Sequence, residues 1–446
     1  MRLVHLGLGN FFRAHPCWHT EHAHDAAEWG TAAFTGRSSG GVVDDLNEQD
    51  GLYTLVVRAG DGDRFELLSS LTRAHAAAEH DAWLGYFEAP ELAAVTITVT
   101  EAGYFRGAHG GLDTGRPEVQ ADIDLLRKDP RALVRTAPAR LVAAAAARRR
   151  ADAGRFAIVP CDNTPGNGAL AERVVHDLAE LVDADLAAWV EESVGIVTTV
   201  VDRITPHTAP DDVRTVLDST GVDDRCPVVT EPFHEWVLSG SFPAGRPSWE
   251  DAGATFADDV TPYEHRKLWL LNGAHSLLAY AGSIRGHETV AEAVADDTCR
   301  SWVEEWWEVA SPHLDQPAEE LGAYRAALLE RFQNARMRDR LDRIAADGSQ
   351  KLQIRILPVL RAERAAGRLP ASATRVLAAW VCHLRGLGAP VSDARADEVV
   401  PLAAGALSEA VPRVLGRLDP KLGADGDVVA TVVDQCEQLG RQSHRD

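Results

Sequence analysis

The N-terminal run RLVHLGLGN constrains the fold more than any other stretch of the chain. It reads as a short buried strand passing into a turn that holds Gly7 and Gly9. A helix is expected over roughly Ala14 to Trp29, followed by a second strand, TAAFTG. A strand, glycine turn, helix and strand in that order is the opening of a parallel α/β sheet. The pattern continues. LYTLVVRAGDGDRFELLSSL gives two β-rich runs around a Gly-Asp-Gly turn, the signature of a hairpin. AAVTITVTEAGY, RFAIVPCDN and SVGIVTTVVDRITP each read as a buried strand, and PVVTEPFHEWVL adds β material. Helices are expected near 138–152 and 168–190. Strands alternating with helices indicate a mostly parallel sheet covered on both faces.

From about Thr261 the character changes. Helical periodicity takes over, as in ARADEVVPLAAGALSEAVPRVLGRL, and strand runs nearly vanish. The expected plan is an α/β domain over residues 1–258 and a mostly helical domain over 259–446, a size of chain that suits two or three domains. The net charge of −22, from 45 basic and 67 acidic residues, argues against a nucleic-acid or anionic-membrane partner. The six cysteines at 17, 161, 226, 299, 382 and 436 form no CxxC pair, so neither a disulfide framework nor a structural zinc site is indicated. No secretory signal precedes the first strand, and no uncharged apolar run of about 18 residues occurs. A cytoplasmic location is the expectation. No assembly motif is evident, and a monomer or small homo-oligomer is expected.

GLGNFFRAH holds the GxG of a dinucleotide turn in Gly7 and Gly9, with Asn10 and Phe11 beside it. Such glycines allow a tight bend and close backbone approach to a pyrophosphate. The third glycine of GxGxxG is absent, since Phe12 stands there. The second strand ends FTGRSSGG, with no acid to hold a ribose hydroxyl. Arg37 with Ser38 and Ser39 tolerates a 2′-phosphate better than an aspartate would, so NADP stands beside NAD as the coenzyme. PCDNTPGNG ends another parallel strand, where open α/β sheets bind ligands, and Asn163 and Asn167 are amide donors there. Asp202 and Arg203 follow a later strand, where a local ion pair would be the plain structural reading. His15, His19 and His22 share one helical face, but no carboxylate or cysteine arrangement completes a metal site.

YEHRKLWLLNGAHSLLAYAG is apolar on most sides yet carries Glu264, Lys267, Asn272 and His275. On an α-helix with Lys267 at zero, Glu264 falls near ~60°, His275 near ~80° and Asn272 near ~140°. All four then occupy less than half the circumference of a helix otherwise fit for burial. Buried ionisable groups are costly unless paired or used.

Taken together, HLGLGNFFRAH, CDNTPGNG, VDRITP, EPFHEWV, PYEHRKLWLLNGAHSLLAYAG and RIAADGSQKL resemble the polyol-specific long-chain dehydrogenases. This is the mannitol 2-dehydrogenase family, which also holds hexuronate reductases. The resemblance implies a Rossmann-type N-terminal domain, a helical C-terminal domain and metal-independent hydride transfer with NAD or NADP. By motif position it implies Lys267 as catalytic base, Asn163 and Asn272 as amides on the reacting oxygen, and His275 as a substrate-orienting residue. Glu264 is similar to the acid that links the lysine to solvent. Asp202, Arg343 and Lys351 match polar positions lining the substrate pocket. The departure is the serine-rich end of the second strand, where NAD-preferring relatives place acids.

A free lysine titrates near 10.4 and is a poor base at neutral pH. Burial among Leu268, Trp269, Leu270 and Leu271 is expected to lower that value, and about 7–8 would suit a general base. The leading expectation is interconversion of a mannitol-like sugar alcohol and a fructose-like 2-ketose. Reduction of a hexuronate such as fructuronate or tagaturonate is the alternative. A non-catalytic dinucleotide sensor is the reading from a different class, which the Lys267, Asn272 and His275 set disfavours.

Overall fold

The computed structural model describes residues 1–36 and 41–442. The chain divides into two compact units, Met1–Val260 and Thr261–Asp446.

The first unit is built on an eight-stranded sheet, with a three-stranded sheet beside it. In chain order the strands are β1 (Leu3–Leu6), β2 (Thr31–Phe34), β3 (Tyr53–Ala59), β4 (Gly62–Leu68), β5 (Leu71–His75), β6 (Ala94–Ile97), β7 (Phe156–Pro160), β8 (Val194–Asp202), β9 (Val228–Thr230), β10 (Glu235–Gly240) and β11 (Thr255–Phe256). The large sheet runs β11-β10-β8-β7-β6-β1-β2-β5. From β5 to β8 every pairing is parallel; β10 lies antiparallel against β8, and β11 pairs parallel with β10. The β3–β4 hairpin is antiparallel as its turn residues require, and it pairs with β9 rather than joining the main sheet. Strand order reverses between β1 and β6, which makes that point the topological switch of the sheet.

The central strands β1, β2, β6 and β7 are buried along their whole length. Parallel strands covered on both faces are expected to be continuously apolar, as these are. Val4, Leu6, Phe34, Ile97 and Phe156 pack with Trp83, Phe87, Val142 and Leu178 from the helices of one face. Leu3, Ala94, Ala157 and Val159 belong to a separate cluster with Trp236 and Trp249. The alternation of strand residues between two clusters is the period-2 pattern of a sheet with two covered faces.

Two helices differ from the sequence reading. The first begins at Asn10, earlier than Ala14, and breaks into Asn10–Ala14 and Pro16–Glu21, with a short 3-10 turn at Ala26–Glu28. Pro16 has no N–H to continue the first segment and serves as the first residue of the second. The helix expected near 168–190 is two helices, Asn167–Val182 and Ala184–Ser193. Asp183 is extended between them, and its side chain accepts from the Asp185 N–H to cap the second.

Among the described residues of the second unit the regular elements are helices, joined by loops, with an isolated bridge between Thr289 and Arg340. Among the described residues, no helix is long and apolar enough to cross a membrane. All six cysteines are free and buried.

Asn167 ties the end of β7 to β8. Its amide donates to the carbonyls of Asp162 (3.2 Å) and Thr199 (3.1 Å), and its side-chain oxygen accepts from the Thr199 N–H (3.0 Å). The residue is fully buried. Asn167→Ala leaves these groups without partners. It is expected to cost about 2–4 kcal/mol, at roughly 1 kcal/mol or more per bond, read as a lower urea midpoint.

Candidate active site

In the first unit, the turn after β1 is set by Gly7. Its φ is +115°, and a Cβ there would meet the Thr98 carbonyl oxygen at 2.0 Å. No other residue fits. Gly9 differs. Its backbone is extended, and a Cβ there would meet nothing nearer than the Gly7 oxygen at 3.6 Å. The fold itself leaves that side of Gly9 open. A backbone cradle with room beside it is what a pyrophosphate needs.

The missing third glycine has a physical substitute. Phe12 lies flat against His5 of β1, ring centroids 3.6 Å apart and 8° from parallel. His5 is fully buried and bonds Thr96 (2.7 Å) and Thr98 (3.0 Å) through its two ring nitrogens. Burial pushes its pKa down to about 3, so the ring is neutral and can serve as a packing plane. A stacked ring pair therefore does here what close glycine packing does elsewhere. Asn10 holds the turn to the loop after β8. Its amide donates to the Pro206 carbonyl (3.1 Å) and the Thr208 hydroxyl (3.2 Å), while its oxygen accepts from Arg13 (2.8 Å). Phe11 stacks on His15 at 5.1 Å. Arg37, with Ser38 and Ser39, lies outside the described residues.

Asn163 and Asp202 stand at the carboxyl ends of β7 and β8, which are neighbours. Asn163 is exposed and Asp202 buried. The loop bearing Asn163 is fixed by its neighbour Asp162, which the sequence reading passed over. The Tyr104 hydroxyl donates to the Asp162 carboxylate, and the Thr164 N–H donates to its other oxygen at 3.2 Å. Burial raises the Asp162 carboxyl to about 6 despite those donors. Asn167, read as a second amide donor, is committed to the β7–β8 tie described above. Arg203 donates to the carbonyls of Ala14 (2.5 Å) and Glu231 (3.3 Å) and lies over Trp18.

The histidine face dissolves for a similar reason. His15 and His19 pack against each other and Trp236, and His22 pairs with Glu66 at 2.7 Å. Burial and surrounding cations hold His19 well below its usual range. Among the described residues, the cluster whose ligand atoms converge is His287, Asp296 and Cys299. There Arg285 already occupies Asp296 at 2.6 Å.

In the second unit the run from Thr261 to Gly282 is one continuous helical stretch, but it is not a regular α-helix. Thr261–Arg266 and Gly273–Leu277 are α-helical, whereas Lys267–Asn272 and Leu278–Gly282 are π-helical. This corrects the angular placement made for an ideal α-helix. There Lys267 and Asn272 stand ~140° apart. In a π turn the bond runs from i to i+5, which brings residues five apart toward one face. Lys267 and Asn272 are five apart.

The wider turn changes which N–H each carbonyl meets, and outside donors hold the carbonyls. The Trp306 indole donates to Trp269 O (2.7 Å) and the Trp307 indole to Leu270 O (2.9 Å). Arg355 donates to Asn272 O from outside at 3.4 Å, and the Ser276 hydroxyl of the same stretch donates to it at 3.0 Å. Lys267, Asn272 and His275 are 9, 7 and 8 % exposed, and Glu264 is half-buried one turn earlier. The His275 ring packs at a tilt against Phe332 (centroids 4.8 Å apart) and faces Asp339, Nε2 to Oδ2 3.9 Å. Arg343 is exposed on the helix Leu341–Ala345. Lys351, on the helix Gly348–Arg355, donates to the Ile344 carbonyl at 3.2 Å. Burial, helped by Arg355, lowers Lys351 to about 8.

A parallel sheet with a glycine cradle at its first turn, and a buried amine and carboxamide on one helical turn, are the parts of a dinucleotide-dependent oxidoreductase. Comparison with known proteins carries this to a family. The sequence profile of the mannitol dehydrogenase Rossmann domain matches residues 1–251, and that of the mannitol dehydrogenase C-terminal domain matches residues 259–439. The chain belongs to the mannitol dehydrogenase family. It is 35% identical over 397 residues to the D-mannonate oxidoreductase of Escherichia coli, covering 86% of this chain and 80% of that one. It is 36% identical over 396 residues to the D-arabinitol 4-dehydrogenase of Ralstonia nicotianae, covering 86% and 83%. Its fold superposes on the Pseudomonas fluorescens mannitol 2-dehydrogenase ternary complex with NAD and D-mannitol with a TM-score of 0.84 and 30% identity, covering 99% and 93%.

Gly273 is where the indole meets the helix. A Cβ there would lie 2.6 Å from the Trp306 Nε1. Trp306 is fully buried and cannot yield. Gly273→Ala is expected to cost about 1–3 kcal/mol by overpacking. It should also lower kcat with an unchanged far-UV circular dichroism spectrum, because it displaces the donor that holds the π turn.

Proposed function

We propose that the protein is an NAD(P)-dependent, metal-independent oxidoreductase that interconverts a mannitol-like sugar alcohol and a fructose-like 2-ketose. The observation that carries this is the buried π turn, which turns Lys267 and Asn272, five residues apart, toward one face in a member of this family. The similarity to a mannitol 2-dehydrogenase solved with NAD and D-mannitol supports the substrate class and the coenzyme. Gly7 and Gly9, with Asn10 and Phe11 around them, are the residues proposed to hold the pyrophosphate, and the open side of Gly9 fits it.

The coenzyme, when bound, supplies the carbon that accepts the hydride. The chain supplies the rest. Oxidation of a secondary alcohol removes a proton from oxygen as hydride leaves carbon. Burial disfavours the charged form of an amine, so Lys267 can act as the neutral base that takes the hydroxyl proton. In the reverse direction its ammonium returns a proton to the forming alkoxide. The carboxamides of Asn163 and Asn272 are proposed as N–H donors to that oxygen. His275 is proposed to orient the substrate, Glu264 to relay the proton to solvent, and Asp202, Arg343 and Lys351 to bind the hydroxyl chain.

A second reading has its own support. A relative 35% identical is named a D-mannonate oxidoreductase, and a mannonate is a hydroxyl chain with a carboxylate. The exposed guanidinium of Arg343 is chemically suited to such a group. Assaying D-mannitol, D-arabinitol and D-sorbitol against D-mannonate, with both coenzymes, separates the two readings. Turnover of the neutral polyols supports the first, and turnover confined to the aldonate replaces it with the second.

Lys267→Ala is expected to lower kcat by roughly two to four orders of magnitude while the fold is retained. Substantial remaining turnover would remove it as the base. Asn163→Ala and Asn272→Ala should each lower kcat by about 10²–10³, the usual cost of one oxyanion donor. A change confined to KM in either variant would assign that amide to binding instead. Chelators are expected to leave activity unchanged.

A further inference from the structure

Asp339 lies between two elements of the second unit, the 3-10 turn Ala335–Met337 and the helix Leu341–Ala345. Its backbone is fixed. Its carbonyl accepts from the Val290 N–H at 2.9 Å, and the next residue, Arg340, bridges to Thr289. The carboxylate is therefore aimed, and it is aimed at His275, 3.9 Å from Nε2. That distance is too long for a direct hydrogen bond. Among the described residues, no donor lies within hydrogen-bonding distance of this carboxylate, although its side chain is only 26 % exposed. The charged and titratable groups around it are His275, Arg343 and Arg331.

Such a carboxylate is an acceptor in want of donors. Ionised, it can only accept, and it has room for several hydrogen bonds. A sugar alcohol is a row of hydroxyl donors. A substrate carboxylate placed in the same position would meet a like charge. Burial raises the Asp339 carboxyl to about 6, opposed by the two arginines, so it is ionised at neutral pH.

We propose that Asp339 is a specificity-determining residue, accepting hydroxyls of the polyol chain beside His275 and Arg343 and disfavouring substrates with a carboxylate at that end. The inference rests on the polyol dehydrogenase reading above. Removing the charge while keeping the shape reverses both effects. Arg343 and Arg331 would then face a substrate without a competing anion.

The test is Asp339→Asn, assayed with D-mannitol and D-mannonate from pH 5 to 8. For the variant, kcat/KM for mannitol is expected to fall about tenfold or more, chiefly through KM, because a charged acceptor is lost. The value for mannonate should rise, so the preference ratio shifts by two factors of the same direction. In the wild type, the preference for the neutral substrate should weaken as the pH falls through about 6. The variant should show no such step. A merely structural role would move both substrates alike and leave the ratio and its pH profile unchanged, which would overturn the proposal. Wild-type protein that oxidises neither substrate would instead overturn the polyol dehydrogenase reading.

Folding of the variant is checked by its urea midpoint. A carboxyl raised from 3.8 to about 6 in the folded state binds more protons folded than unfolded between those values. Its ionised form therefore costs stability, fully above about pH 6, and the cost vanishes as the pH falls below the unfolded value. The asparagine variant is expected to be the more stable at pH 7–8, with the difference closing toward pH 4.

Discussion

The helix that carries Lys267 and Asn272 depends on carbonyls held from outside. A π turn is seldom stable by itself, because its wider spiral packs poorly along the axis and meets its own N–H groups at a different spacing. Here the carbonyls of Trp269, Leu270 and Asn272 take hydrogen bonds from two tryptophan indoles and a buried guanidinium. Those donors come from elements far away in sequence, Asp297–Ala310 and Gly348–Arg355. Gly273 is bare because an indole passes where its side chain would be. The local geometry of two candidate site residues is thus a tertiary property, imposed by packing on a segment whose own leucines would suit an ordinary helix.

The first unit solves its equivalent problem with different chemistry. A turn that must leave backbone open to a ligand cannot use side chains inside the turn to stabilise itself. Gly7 and Gly9 provide the opening, and stability is supplied from the rim. Asn10 reaches the loop after β8, Arg13 reaches Asn10, and Phe12 lies on a neutral histidine in the strand below. The same logic places Asp162 beneath Asn163. A carboxylate fixed by Tyr104 and the Thr164 N–H holds the loop that carries the neighbouring exposed amide. Residues that hold and residues that are held alternate along both loops.

The broad architecture was readable from periodicity, because buried parallel strands have to be apolar throughout and their helices are amphipathic. The hairpin was readable from its Gly-Asp-Gly turn, and the change of character near Thr261 from the end of strand patterning. Helix breaks were harder. Pro16 announces one, but only once the helix is known to begin at Asn10, and Asp183 breaks a helix by capping the next. The π turn was hidden for a stronger reason. Nothing within LWLLNGAHSLLAYAG distinguishes i+4 from i+5 bonding, and the deciding indoles lie some thirty residues further on, at Trp306 and Trp307. The family resemblance pointed to Lys267 and Asn272, while their arrangement is a consequence of the folded packing. Asn167 shows the opposite error. An asparagine in a ligand-binding loop is indistinguishable by type from one that ties two strands, and only its hydrogen bonds tell them apart.

Arg355 links these threads. It is buried, and burial lowers its pKa to about 10. Its guanidinium is nonetheless retained because it holds Asn272 O and the Ser276 hydroxyl. The same cation lies close enough to Lys351 to oppose a charge there, adding to the effect of burial. Asp347 and Asp393 offset that repulsion only in part, and Lys351 remains lowered to about 8. A structural requirement of the π turn thereby reinforces what burial does to a lysine one turn away on the same helix. Burial is the larger reason that Lys351 holds its proton weakly, and the guanidinium kept in place by the Asn272 carbonyl adds to it.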